Sequence, residues 1–455
     1  MNKIEIALVL CPCWAHLCPP LGMTYLTAAL KKNGFSVKCF DLNIESYHFL
    51  KSGNIDYWDY ANYYYWLNVD LFRNIIPLVK KYLEGKVKEI LESNPDVIGF
   101  SVFDTGALAS LYMAQEIKKI APNKIIVFGG PGCNKEMEGY GFLNSGFVDA
   151  VIAGEGEEAF IELLERYKEK NTLESIEGSI IKKNGNIIDA EVRKEIKDLN
   201  SLAFPDFSML DIKQYTMRAL PVLTSRGCVA RCSFCSEWGK FRFRKAENII
   251  EELKQGIKNY NMKEFLFNDS LINGNVKELE RLSDLIIENK MDIIWGGYAR
   301  IDLRLNLGLL KKMKKAGCKY LSYGIESGSQ KVLNDMNKRI LLKDAANNLR
   351  DTKRAGIEGH INWIVGFPTE STLDFIKSLW FIYSNRKYIF VVNPGHGCGI
   401  IPSCDLNKNR KRYRISNQPF LNNWRTVDFT NTIIHRRIRL KILLNLLDIS
   451  RIRHS

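Results

Sequence analysis

From residue 3 to about residue 170 the chain repeats one unit: an aliphatic run, a Gly or Pro break, then apolar residues at helical spacing. The runs fall at residues 4–11, 36–42, 97–102, 125–129 and 150–153. Rich in Val and Ile and without polar alternation, they read as strands buried on both faces. Helical stretches lie between them, such as residues 22–32, which Gly34 closes just past the end where a left-handed residue stops a helix. Strands of this kind in alternation with helices form a parallel sheet covered on both sides. Residues 1–171 are therefore predicted to be a doubly wound, Rossmann- or flavodoxin-like α/β domain of about five strands.

The rhythm resumes after residue 219, with strands predicted at residues 220–224, 264–268, 293–297, 320–324, 360–365 and 388–392. Helical patterns at 247–259, 277–289, 307–316 and 372–383 separate them. Six units of roughly 30 residues fall short of the ~250 residues of a closed eightfold barrel, so residues 219–405 are predicted to form a partial (βα)6 TIM-type barrel. Residues 172–218 read as a connector: SIIKKNGNIIDA places Asn184-Gly185 between two aliphatic runs, a strong hairpin signal. Residues 406–455 form a basic helical segment at the end.

Open parallel sheets bind ligands beyond the carboxyl ends of their strands. In the first domain those ends carry Ser101 in GFSVFDT, Gly129 and Gly130 in VFGGPG, and Gly154, Glu155 and Gly156 in IAGEGEEAF. The glycines would let a bulky ligand reach the backbone, or would simply make tight turns. Residues 42–82 interrupt the rhythm with YWDYANYYYWLNVDLF, a helical insertion whose Trp58, Tyr63, Tyr65 and Trp66 either pack on the core or cover a large flat ligand.

Eleven cysteines in 455 residues are too sparse for a disulfide scaffold. Cys39, Cys133 and Cys318 have apolar neighbours and read as small core residues. Cys228, Cys232 and Cys235 are different: SRGCVARCSFCSEW holds three within eight residues, directly after the first barrel strand. A closed structural zinc site takes four protein ligands. A cubic iron–sulfur cluster offers four irons, each wanting one external ligand, so three thiolates leave one iron open. His396, Cys398 and Cys404 in NPGHGCGIIPSCDL are too few to define a second metal site.

CVARCSFC, with Phe234 before its last cysteine, resembles the C-x3-C-x2-C signature of the radical S-adenosylmethionine (SAM) enzymes. GIESGSQ, with Glu326 and Ser327, is similar to that family's ribose- and methionine-contacting segment, and WIVGFPTE, with Gly366, to the motif lying against adenine. FNDS stands where many members carry Gly-Gly-Glu, which makes Asn268 and Asp269 weaker candidates for the methionine amino group, and Arg300 in WGGYARID is placed to meet a carboxylate. The resemblance implies a 4Fe-4S cluster on Cys228, Cys232 and Cys235 whose open iron chelates SAM. Reductive cleavage would then yield a 5'-deoxyadenosyl radical. No residue is assigned a catalytic role beyond cofactor binding.

PPLGMTYLTAALKKNGFSVKCFDLN, VFGGPG and DAVIAGEGEEAF, ahead of such a barrel, resemble the cobalamin-binding subfamily, as does DLNSLAFPDF in the connector. The Asp-x-His-x-x-Gly motif that supplies an axial histidine in domains of the methionine synthase type is absent. His16, in WAHLCPP, does not match it and reads as a surface residue. The lower corrin face would then meet the loops at residues 101–105 or 129–134. The implied activity is cobalamin-dependent methylation of an unactivated carbon. Radical rearrangement, ring formation or carbon–sulfur chemistry without methyl transfer stays open, as does a non-catalytic iron–sulfur or corrinoid-binding regulator.

The net charge of +14 is concentrated at the end: from residue 407 onward twelve Lys or Arg face only Asp428 and Asp448. IIHRRIRLKILLNLLDISRI reads as a closing helix with its charges in solvent, or as a contact to an anionic membrane surface. No nucleic-acid reader motif accompanies the charge, and no nucleic-acid partner is expected. A small acidic ferredoxin or flavodoxin would suit the basic balance as electron donor. The N-terminus reads as a strand rather than a signal peptide, which places the chain in the cytoplasm. The substrate, a small molecule or a lipid, is not legible.

Overall fold

The structure, a computed structural model, describes residues 5–50, 56–59, 62–133, 139–183, 185–237, 239–395, 397–401, 403–416 and 423–454. Asn134, Asn184 and His396, named above, lie outside the described residues. The chain divides into two compact units, residues 1–197 with 201–218, and residues 198–200 with 219–455.

The first unit is a seven-stranded sheet. Its parallel members are β1 (Glu5–Leu10), β2 (Ser36–Asp41), β3 (Val97–Ser101), β4 (Ile125–Gly129) and β5 (Ala150–Ile152), joined in the order β2-β1-β3-β4-β5. Side chains alternate across each strand, and both faces are buried. Ala7 and Val9 point into a core shared with Ile98, Phe100 and Phe128, under the helices α4 (Val69–Glu92) and α5 (Ala107–Ile120). Ile6, Leu8 and Leu10 point the other way, against Met23 and Leu30 of α1 (Leu21–Lys32) and Phe160 and Leu163 of α7 (Gly156–Lys170).

The aromatic insertion belongs to the first of these cores. Trp58 and Trp66 are buried, and their indole N–H groups donate to Asn43 Oδ1 (2.7 Å) and to the Tyr57 carbonyl (2.9 Å). Both indoles are thus satisfied inside the domain, as packing residues must be.

The connector is part of this unit. β6 (Ser179–Lys183) pairs antiparallel with β5, and β7 (Asn186–Asp189) pairs with β6. Ile180 and Ile181 enter the two opposite cores, which is why the pair is held as sheet rather than left as a link. The chain beyond it is fastened as well. Asp206 meets Lys31 at 2.7 Å, the Met217 amide donates to the Leu17 carbonyl, and the Tyr215 hydroxyl donates to Asp41 Oδ2 at 2.5 Å.

The second unit is a curved sheet of seven parallel strands, one more than predicted. They are β8 (Ala219–Val222), β11 (Glu264–Phe267), β12 (Ile294–Ala299), β13 (Cys318–Glu326), β14 (Glu358–Trp363), β15 (Val391–Asn393) and β16 (Arg453–His454), adjacent in that order. The numbering gap is the short hairpin β9 (Ser225–Arg226) with β10 (Arg242–Phe243) beside the cysteine loop. Helices α8 (Ala246–Tyr260), α9 (Val276–Glu288), α10 (Leu307–Lys315), α12 (Leu342–Arg354) and α13 (Thr372–Asn385) connect the strands. The basic end of the chain is the seventh unit: α15 (Ile433–Ile449) crosses over to deliver β16 onto the edge beside β15. Two residues reading Arg-His give no aliphatic signal, so this strand is invisible in the sequence.

The charges of α15 are not all in solvent, as the closing-helix reading had them. Arg436 is 3% exposed, stacks over Trp424 at 3.9 Å, and donates to Asn431 Oδ1 and the Trp424 carbonyl. Burial lowers its pKa to about 10, so it stays charged at neutral pH. Arg439 forms a buried ion pair with Glu370 at 3.0 Å. Such a pair is costly to break from one side, because the remaining charge is left without a partner.

Tyr215→Phe tests the attachment of the connector. Burial raises the Asp41 pKa to about 6 even with the Tyr215 hydrogen bond, which acts to lower it. That bond stabilises the carboxylate, so its loss weighs most where Asp41 is ionised in the folded protein. The variant should unfold at lower denaturant, by about 1.5–3 kcal/mol above pH 6. The loss should shrink as pH falls through about 6, where Asp41 takes up its proton in the folded protein. Denaturation of both proteins between pH 4.5 and 8 reads the difference; an equal loss at every pH would contradict the assignment.

Candidate active site

Asp269 lies just beyond β11, neighbour to β8, and is 2% exposed. Its Oδ1 accepts from the Thr224 amide (2.9 Å), the Thr224 hydroxyl (3.0 Å) and the Ser225 hydroxyl (2.8 Å), and also from the Ser225 amide. One carboxylate oxygen thereby fixes the backbone where β8 opens into the cysteine loop. Its Oδ2 has no hydrogen-bond partner among the described residues. Burial pushes the pKa up to about 6 against the pull of the Ser225 and Thr224 bonds. Asp269, read from the sequence as a group for the methionine amino nitrogen, is thus a positioning residue for the loop. Its neighbour Asn268 is exposed and bonds to the Val222 carbonyl through its backbone amide.

The loop is tied down at its centre. The Ser233 amide donates to the Met336 carbonyl (2.9 Å), the Leu406 amide to the Ser233 carbonyl (2.9 Å), and the Asn337 side chain to the Arg231 carbonyl (2.6 Å). Cys228, Cys232 and Cys235 remain half-buried on it. Backbone amides of Ala230 and Glu237 point at the sulfurs of Cys228 and Cys235, both at 3.4 Å, where they would stabilise thiolates. Burial raises the thiol pKa of Cys232, while the positive charges of Lys338 and Arg300 act to lower it. Among the described residues no three His, Cys, Asp or Glu side chains converge on a single ion. A mononuclear zinc site demands that convergence. A cubane distributes its thiolates over separate irons, and three thiols spaced along one loop are a donor set that such a cluster can take.

Glu326 ends β13 at a break in its pairing with β14 and has φ +73°, a conformation non-glycine residues rarely adopt. Its Oε1 meets Lys338 Nζ at 3.1 Å, with both residues 8% exposed. Gly324 makes the pair possible: a Cβ there would lie 2.6 Å from Glu326 Oε1 and 2.9 Å from Lys338 Nζ. Lys338 also stands over the Phe234 ring at 5.7 Å, and Arg300 donates to the carbonyls of Lys338 and Arg339. Fixed charges of both signs therefore face the cysteine loop from one side. Lys338 was missed in the sequence because it follows α11 (Gln330–Asp335) in a segment with no motif.

Two motif residues are occupied elsewhere. Ser327 is fully buried, its hydroxyl against that of Ser378 at 3.2 Å and accepting from the Ser329 amide, so GIESGSQ is fastened onto α13. Gly366, at φ +76°, lies against α15: a Cβ would come within 2.3 Å of Arg436 Cγ. This close approach and the positive φ both require glycine there. Cys398 and Cys404 are buried, and burial pushes the Cys398 thiol up.

In the first unit Ser101 ends β3 half-buried, paired with Gly129 at the end of β4. A Cβ on Gly130, at φ +104°, would lie 2.8 Å from the Val102 carbonyl oxygen, so the close approach of the two loops requires glycine there. Glu155 accepts the Ile196 amide at 2.6 Å and so holds the connector. Gly154, at φ +99°, has nothing within 4 Å of where a side chain would stand, and Gly156 opens α7. Ser101, Gly129 and Gly154 thus follow one another along the carboxyl ends of the adjacent strands β3, β4 and β5. The described residues of the loops after β3, β4 and β5 include no histidine. His16 is half-buried and stacked on Tyr47 at 4.2 Å, not the free surface residue expected.

Residues 222–382 match the model of the radical SAM superfamily, and residues 69–164 that of the B12 binding domain. A protein of Methanocaldococcus jannaschii provisionally named as a methylthiotransferase is 30% identical over 344 residues, 71% of this chain and 73% of the relative. The chain belongs to the radical SAM superfamily. An uncharacterised methyltransferase of Pyrococcus horikoshii is 28% identical over 375 residues, 79% of this chain and 73% of the relative. A solved radical SAM methyltransferase from Kitasatospora setae, with cobalamin and a 4Fe-4S cluster bound, has TM-score 0.67, covering 89% of this chain and 74% of that one at 16% identity. The likeness to it is one of fold. As a radical SAM protein with a B12-binding domain, the chain uses a 4Fe-4S cluster, SAM and cobalamin.

Asp269→Ala would strand four donors at the root of the cluster loop. It should cost at least about 2 kcal/mol in denaturation and lower the iron retained after anaerobic reconstitution. Unchanged stability and iron content would remove Asp269 from this role.

Proposed function

We propose that the chain is a cobalamin-dependent radical SAM methyltransferase acting on an unactivated carbon of a small molecule or lipid. The reading rests on one observation: three thiols on a restrained loop at the carboxyl end of a parallel barrel, facing a buried Glu–Lys pair, in a chain that also carries a B12-binding domain. The relatives named as methyltransferases support it. When bound, the cluster and SAM supply a 5'-deoxyadenosyl radical and cobalamin supplies the methyl group.

In this reading Cys228, Cys232 and Cys235 ligate three irons and leave the fourth for SAM. Glu326, with Lys338 and Arg300 beside it, offers charges of both signs to the zwitterionic end of SAM. Phe234 closes the space beneath Lys338, and Asn268 presents a free amide at the rim. Ser327 and Gly366 act indirectly, by docking their loops on α13 and α15. In the first unit Ser101, Gly154 and Gly156 line the strand ends that receive the corrin, while Gly129, Gly130 and Glu155 hold the loops there in shape. A ferredoxin or flavodoxin would deliver electrons, and the site of action is the cytoplasm. Among the described residues no helix is long and apolar enough to cross a membrane.

Anaerobic reconstitution should give about four irons per chain and retained corrinoid absorbance, with 5'-deoxyadenosine formed on reduction. SAM bearing a deuterated methyl group should label the product. Formation of 5'-deoxyadenosine with no corrinoid retained would move the chain to radical chemistry without methyl transfer; none at all would end the enzymatic reading. Gly324→Ala should leave the iron content intact while weakening SAM binding about ten-fold, since the displaced Glu326–Lys338 pair is buried. Equilibrium binding of SAM to the reconstituted protein checks this.

A further inference from the structure

Helices α13 and α15 both turn an apolar ridge to solvent. On α13 the ridge is Leu373, Ile376, Trp380 and Tyr383, the spacing of one helical face, with Trp380 67% exposed. Phe375, Ser378, Phe381 and Ile382 of the same helix are buried. On α15 the ridge is Ile434, Ile438 and Ile442, with Ile434 65% exposed, while Arg436, Arg439, Leu443 and Leu447 point inward. The two helices are neighbours: the Arg439 guanidinium lies 5.7 Å from the Phe375 ring and pairs with Glu370 just before α13. Their solvent faces therefore belong to one outer layer.

Apart from Asp448 near the end of α15, the exposed charges on that layer are positive. Lys377, Arg437 and Lys441 are exposed. The one carboxylate of α13, Asp374, is buried in the helix cap, and that of α15, Asp448, pairs with His454 at 3.0 Å. Large exposed apolar patches mark interaction sites. Aliphatic residues with Trp and Tyr, flanked by Lys and Arg and free of unpaired acids, match the boundary between anionic headgroups and acyl chains.

We propose that this face seats the protein peripherally on an anionic lipid bilayer. Trp380 and the isoleucines enter the headgroup–acyl boundary, and Lys377, Arg437 and Lys441 meet lipid phosphates. The sequence pointed to the mixed basic and aliphatic residues of the last helix alone. The structure withdraws Arg436 and Arg439 into the protein and adds the α13 ridge.

Vesicle co-sedimentation of the full chain tests it. Vesicles of phosphatidylcholine with about one third phosphatidylglycerol should bind the protein, at least about ten-fold better than phosphatidylcholine alone, and added salt should weaken the binding. Trp380→Glu combined with Ile438→Glu should abolish it. The thermal unfolding and 5'-deoxyadenosine formation of this variant should stay at the parent's level, because both positions are exposed and distant in role from the cysteine loop. Failure of the parent to bind acidic vesicles would overturn the proposal, as would full binding by the double variant. So would self-association in sedimentation velocity that the double variant abolishes in the absence of vesicle binding, since the face would then seat a second copy.

Discussion

Parallel sheets covered by helices on both faces leave only the ends of their strands open to a ligand. The first unit is built this way, the second is likewise a row of parallel strands joined through helices, and the position of everything chemical follows. Cys228, Cys232 and Cys235 follow β8, Asp269 follows β11, Arg300 follows β12 and Glu326 ends β13. The Ser101, Gly129 and Gly154 group stands at the same ends in the first unit. The apolar interior supplies stability, while the chemistry is confined to one rim of each sheet.

Within that rim, buried charge holds the geometry. Asp269 binds four donors with one oxygen, Glu326 and Lys338 pair across Gly324, and Arg439 pairs with Glu370 beneath the loop that contains Gly366. Each is a group that water would otherwise solvate, placed where its partners are fixed by neighbouring strands. Pairs of this kind add less to net stability than to the choice of a single arrangement. A loop that must hold three thiols around a cluster benefits from that choice.

The fold was legible because its signals are local. Val- and Ile-rich runs such as residues 125–129 coincide with β4 as observed, and the three cysteines fall within eight residues of one loop. Where signals were not local, the reading went astray. β16 has two residues and no aliphatic character, yet its edge position is set by α15. The connector looked like a link until Ile180 and Ile181 were seen in opposite cores. Nor could the sequence show that Ser327 meets Ser378 and that Gly366 stands against Arg436, 51 and 70 residues further on.

The sequence by itself determined the fold class and the two-part organisation, and set three cysteines just after one barrel strand, because periodicity and motif spacing are written along the chain and survive without knowledge of neighbours. Only the tertiary structure decided what each polar residue does there. It made Asp269 a staple for the cysteine loop, turned Lys338 toward Glu326, and sent two arginines of the last helix inward while leaving its isoleucines outside. Those roles depend on which segments of the chain the sheet brings side by side. Burial and hydrogen-bond partners are properties of that juxtaposition and not of the residue alone.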